Sequence, residues 1–272
     1  MSDNRTRRTF LKLSSSAAVV GLAGCSGGES EESTEEMMGT EEMMAATTFT
    51  VRIENVAPTD FYGSETSTGG AIWITPGAYA VHTDENPVFT AGESASIGLE
   101  ALAEAGPPTG FEGETGLVSE LEAADTVAHA GAYTPENTVA DPNDPMGEVP
   151  GAPPIAPEGA FEFEVEAEPG QHLSFASMFV PSNDLFFSPE TAIPLFEDGT
   201  PVEGDVTENV ELWDAGTEPN QEPGVGTDQA PAQDSPDQGD DEDGVVSLLS
   251  DVDDGYDYPE AAEAIRVTVT PQ

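Results

Sequence analysis

Two acidic segments stand out in a chain that is acidic almost everywhere. Val180-Pro181-Ser182-Asn183-Asp184-Leu185-Phe186-Phe187 sets a carboxylate in a turn, between a strongly apolar stretch and a pair of aromatics. Leu212-Trp213-Asp214-Ala215-Gly216-Thr217-Glu218 sets a second directly after an apolar run, and its glycine lets the loop fold back so that Glu218 faces the same point. Carboxylates on loops at strand ends suit a hard cation such as Ca²⁺, which takes about six to eight oxygens from side chains and loop carbonyls. The competing reading is that Asp184, Asp214 and Glu218 are three more surface acids, and the residue pattern leaves both open.

Other chemistry finds little support. The chain has no Gly-x-Ser-x-Gly, no P-loop, no Gly-x-Gly-x-x-Gly before a strand–helix unit and no His-Glu-x-x-His. Lysine is absent after Lys12, which excludes Schiff-base chemistry from the rest of the chain. His82, His129 and His172 are far apart and are expected to be packing or surface residues. The acidic stretch 237–257 fails the EF-hand template, because neither Gly244 nor Gly255 at the sixth position leaves an acid at the first. It is expected to be a solvated insertion, and the chain is not expected to be an enzyme.

The segments that would position these acids have mostly the period of a strand. Phe49, Val51 and Ile53 alternate with Thr50, Arg52 and Glu54; Phe161, Phe163, Val165 and Ala167 alternate with four glutamates; Ile265, Val267 and Val269 close the chain in the same way. Ala71 to Ile74 and Tyr79 to His82 read as two short pieces separated by a Thr75-Pro76-Gly77 turn, and Leu173 to Val180 is apolar on both faces, as in a central strand. Glu197-Asp198-Gly199 predicts a hairpin turn. Helical spacing is confined to 93–105, stopped by Gly106-Pro107-Pro108, and to Leu117–Ala124. The proline-rich stretch 134–158 reads as a loop, and residues 217–244 have the composition of one. Many short strands with turn signals and few helices predict an all-β, antiparallel sandwich.

Six Lys and Arg face 54 Asp and Glu. Four of the bases lie in the first twelve residues, so the chain from Cys25 onward keeps two bases, Arg52 and Arg266, against 53 acids, a net charge of −51. Such a surface excludes nucleic acid as a partner, because phosphate binding needs Lys and Arg. It should repel itself open in dilute buffer and becomes tolerable where the Debye length shrinks to roughly 3 Å, at 1 M salt. The composition therefore reads as adaptation to molar salt. Residues 1–24 read as a signal peptide, with Arg7-Arg8-Thr9-Phe10-Leu11-Lys12 like a twin-arginine motif, followed by a short apolar run. Leu22-Ala23-Gly24-Cys25 is similar to a lipoprotein cleavage box, with Cys25 as the lipid site. Residues 25–46 have the composition of an acidic flexible tether. The expected localisation is the outer face of the cell membrane, with the chain held there by lipid on Cys25.

Four pieces, in order, resemble the spondin N-terminal domain family: Phe49-Thr50-Val51-Arg52-Ile53, the helix from Gly98 to Gly106, the turn Pro181-Ser182-Asn183-Asp184, and Trp213-Asp214-Ala215-Gly216-Thr217-Glu218. The resemblance covers residues 47–272, with an acidic insertion at about 217–258. It implies an eight-stranded antiparallel β-sandwich similar to C2 domains, with one Ca²⁺ held by loops at one end. The ligands it implies are Asp184, Asp214 and Glu218, the last standing where the family usually has aspartate. Animal members are secreted adhesion proteins with disulfides; this chain has one cysteine, so their partners do not carry over. The expected function is calcium-dependent adhesion or recognition of an extracellular protein or glycan. The alternatives are a structural surface module without a specific metal and a metal-dependent hydrolase.

Overall fold

A computed structural model describes residues 46–140, 154–236 and 238–272. The segments expected to be an export signal and a tether lie outside the described residues, Cys25 included, except for Ala46. In chain order the elements are β1 (Thr47–Asn55), β2 (Ile74–His82), α1 (Ile97–Ala105), α2 (Leu117–Ala123), β3 (Val127–Tyr133), β4 (Thr138–Ala140), β5 (Ala160–Ala167), β6 (His172–Phe179) and β7 (Leu185–Pro189). They continue with β8 (Ile193–Pro194), β9 (Phe196–Glu197), β10 (Thr200–Pro201), β11 (Gly204–Asp205), β12 (Val210–Asp214), β13 (Ser247–Leu248), α3 (Ala261–Ala264) and β14 (Ile265–Pro271).

The strands form the expected antiparallel all-β sandwich. One sheet runs β11-β14-β1-β5-β4; the other runs β13-β12-β7-β6-β2-β3, with β8 beside β6. The inward residues of β1, β5 and β14 meet Leu173, Phe175, Phe179, Phe187 and Leu212 of the facing sheet in one buried cluster. Full burial of one such phenylalanine stabilises the fold by roughly 1.5–3 kcal/mol. The outer face of the second sheet carries α1 and α2. Small residues at Ala78, Ala80 and Ala176 admit the helices, so that Leu99, Leu102, Leu117 and Leu121 pack there with Phe186 and Trp213. α1 starts where Ser96 Oγ accepts the Leu99 N–H at 3.2 Å and stops at Gly106, whose φ of +88° is open to glycine at little cost. Asp198 and Gly199, with φ of +48° and +76°, make the two-residue turn between β9 and β10.

Three sequence expectations are corrected. β2 is one strand that runs through Thr75-Pro76-Gly77, with a register shift between Ile74 and Gly77. Pro76 cannot donate to the ladder, and at this break the Met178 N–H donates to the side chain of Thr75, at 2.9 Å from Oγ1, instead of to a backbone carbonyl. Gly77 is required here, because a Cβ would lie 2.0 Å from the Ala176 carbonyl oxygen. The loop expected at 134–158 contains β4. The stretch around His129, to which the sequence assigns no element, is a full edge strand, β3. The acidic insertion is partly built into the fold: Ser247 and Leu248 pair with Asp214 and Trp213, and Leu249 is buried.

Arg52 and Arg266 both lie on the solvent face of the first sheet. Arg52 donates to Glu162 at 2.8 Å and to Glu54 at 3.4 Å. Arg266 stands opposite Glu54 in the ladder, with Nη1 at 3.7 Å from its carboxylate, and lies 4.0 Å from Asp205. Among the described residues there is therefore no lysine or arginine left for any acid on the other sheet.

Candidate metal centre

Register brings the first two acids together. β7 and β12 pair antiparallel with Leu185 opposite Asp214, so Asp184, one residue before β7, sits beside the end of β12. The Ala215 N–H donates to the Asp184 carbonyl at 3.2 Å and extends the ladder. Ser182 fixes the turn by accepting the Leu185 N–H at 3.1 Å and donating to the Phe179 carbonyl at 2.5 Å.

Asp184 is fully buried. Its Oδ2 accepts the Thr217 N–H at 2.8 Å, the Glu218 N–H at 3.2 Å and the Thr217 hydroxyl at 3.3 Å. Its Oδ1 is equally buried and has no hydrogen-bond partner among the described residues. Burial first, and then the Asp214 carboxylate, push the Asp184 carboxyl up to about 7; the three donors pull the other way. Asp214 is 7% exposed, and its Oδ1 accepts the Gly216 N–H at 2.7 Å while Oδ2 accepts the Asn220 amide at 2.6 Å. Burial raises its carboxyl as well, and Glu242 and Asp254 add to that.

The backbone folds back at Gly216, whose φ of +68° and 2.6 Å clearance from Val245 N leave no room for a side chain. That reversal delivers the Glu218 N–H to Asp184. The Glu218 side chain takes a different course: Oε2 accepts the Asn183 amide at 3.0 Å and Oε1 accepts the Gly239 N–H at 3.0 Å. Asn183 is further held by the Gln221 N–H at 3.2 Å on its Oδ1. The three candidate residues thus share one corner of the sandwich, Asp184 and Asp214 interact directly, and the Glu218 carboxylate is turned into an amide network. Among the described residues no group of three or more His, Cys, Asp and Glu side chains is close enough together to hold a metal ion.

A divalent cation fits one part of this arrangement well. The unpartnered Oδ1 of Asp184 is a buried anionic acceptor beside a second carboxylate, and burying such charge without a partner is costly. Asp214 would complete a pair, and the remaining oxygens of a Ca²⁺ shell would have to come from carbonyls or from Glu218 after rotation. Asn183, Asn220 and Gln221 belong to the site but carry no sequence signal, since polar amides near turns are common. His82 and His172 face each other across β2 and β6, 6.2 Å apart, with His82 Nε2 against Ser174 Oγ at 2.9 Å. His129 is exposed on β3. Comparison with known proteins adds nothing to this geometry: no protein-family model and no curated protein matches the chain.

Proposed function

We propose that this chain is a lipid-anchored, calcium-binding domain of the cell surface in a salt-adapted organism, used in adhesion or recognition. The observation that carries the calcium part is the buried, unpartnered Asp184 Oδ1 beside Asp214, on the sheet that carries neither arginine. A bound Ca²⁺ supplies the positive charge that turns the repulsion of these carboxylates into attraction. Asp184 and Asp214 are the ligands this reading assigns first. Glu218 joins them by exchanging its bonds to Asn183 and Gly239 for the ion. The resemblance to spondin N-terminal domains supports the same three residues.

Binding stabilises the folded state by about 2.7 kcal/mol when free ion is a hundredfold above its dissociation constant. Extracellular sites are often weak, on the order of 10⁻⁴ to 10⁻³ M, and the many other acids bind diffusely. Single variants in fixed 3 M NaCl separate the two. Asp214→Asn, which keeps the shape and removes the charge, is expected to lose most of the calcium-dependent gain in melting temperature. Asp240→Asn, in the exposed acidic loop, is expected to keep it. Equal calcium responses in the parent and both variants would mean that Asp184, Asp214 and Glu218 hold no specific ion.

Anchoring rests on the twin-arginine-like run and on Leu22-Ala23-Gly24-Cys25. Cys25→Ser is expected to block processing or to move the protein from the membrane fraction to the medium. Unchanged fractionation of that variant would remove the lipid from this reading.

A further inference from the structure

The four edges of the two sheets are not alike. Three are closed by short strands: β11 and β13 of two residues each and β4 of three. The fourth is β3, with seven residues. Exposed edges are normally blunted by brevity, charge, proline or a bulge, because their free backbone groups template further pairing. β3 reads Val-Ala-His-Ala-Gly-Ala-Tyr, without acid, arginine or proline, whereas the long strands β1 and β5 carry glutamates on their outward faces. Its single irregularity is at one end, where the register skips Ala128; His129 to Tyr133 then pair with β2 without interruption. Among the described residues, no backbone group from Ala128 to Tyr133 bonds anything outside the β2–β3 ladder.

We propose that β3 is a self-association edge, through which two copies of this chain pair strand against antiparallel strand; the proposal rests on the reading that the domain works in molar salt. Charge selects the partner. Glu122 on α2 and Glu164 and Glu166 on β5 flank the strand. In dilute buffer these acids would favour a cationic segment and oppose a second copy. In molar salt the screening length is about 3 Å or less, so that preference fades and backbone pairing with apolar burial decides. The partner that fits is then an exposed, uncharged strand with small side chains, and β3 of another copy is one. Centred on Gly131, an antiparallel pair sets Ala130 against Ala132 and His129 against Tyr133, with no carboxylate in the ladder.

So short a ladder falls below the ~1,200 Å² of a stable interface, so the association is weak in solution. A shared membrane raises the effective concentration of the two edges. The test is light scattering of the full chain up to about 1 mM, with saturating calcium, at 1, 2 and 4 M NaCl, and circular dichroism on the same samples. The mass is expected to rise from 28.3 kDa toward twice that value, more so at higher salt. His129→Glu, at an exposed position, is expected to hold the chain at monomer mass while leaving its dichroism unchanged, and Ala128→Glu is expected to repeat the effect. Val139→Glu, equally exposed but on β4, is expected to associate like the parent. A folded parent that stays at 28.3 kDa throughout overturns the proposal and leaves the salt-adaptation reading standing. Undiminished association of His129→Glu, or association that weakens with salt, overturns it as well, the latter pointing to a charge-driven contact.

Discussion

Asp184→Asn is expected to make the calcium-free protein more stable at pH 8, although it alters a fully buried polar residue. The reason is the lone Oδ1. A carboxylate in that position is desolvated and faces Asp214, which is why its carboxyl is lifted from 3.8 to about 7. A group whose folded value lies above its unfolded value stabilises most when both states are protonated. That contribution is lost as pH rises from the unfolded value through the folded one. For Asp184 the window is therefore pH 4 to 7, and the loss has a ceiling on the order of 4 kcal/mol. Asparagine can still accept the Thr217 and Glu218 N–H groups through its oxygen, and it removes the charge that Asp214 repels. For a domain of this size the gain corresponds to up to roughly 10 °C at pH 8, shrinking toward pH 4. Thermal melts of parent and variant in 3 M NaCl, with chelator and with calcium, read this out. Calcium should raise the parent and leave the variant where it is. A variant that melts below the parent at pH 8 in chelator would mean that the Asp184 charge is already compensated within the protein.

Removing salt is expected to unfold the domain outright. From Cys25 onward the chain carries two bases against 53 acids, and both arginines are committed to one sheet face. The second sheet has only screening to offset its acids. Lowering NaCl from 3 M to 0.05 M lengthens the Debye distance from below 3 Å to more than 10 Å, so that repulsions now confined to neighbours extend across the molecule. Circular dichroism in chelator, followed through a NaCl titration, should show a cooperative loss of strand signal. Calcium should move the midpoint to lower salt. Equal stability at both ends of the titration would break the link between this composition and brine.

β1, β5 and β14 were legible because each has one wet face, and the alternation of apolar and polar residues records it. β7 was not, because Leu185–Pro189 is buried on both faces and its two phenylalanines looked like aromatics behind a turn. β3 escaped notice for the opposite reason: alanine and glycine give no contrast between faces. At the site, the strand-end positions of Asp184 and Asp214 could be read from the sequence, and so could the reversal at Gly216. The direction of the Glu218 carboxylate could not. It is set by Asn183, 35 positions away, and by the Gly239 N–H, 21 positions away, through contacts that only the folded loop creates.

The placement of the two arginines also governs how the domain meets proteases. Beyond the first twelve residues they are the only sites at which a trypsin-like enzyme can cut. Arg52 lies on a strand bonded on both sides, between β14 and β5, and Arg266 on one that β1 and β11 flank. A protease needs its target extended and unpaired, so neither bond can be cleaved by local fraying of a loop. Cleavage at either site requires the strand that carries it to leave the first sheet. The long acidic loops, which would be the first points of attack in most proteins, offer such an enzyme nothing to bind.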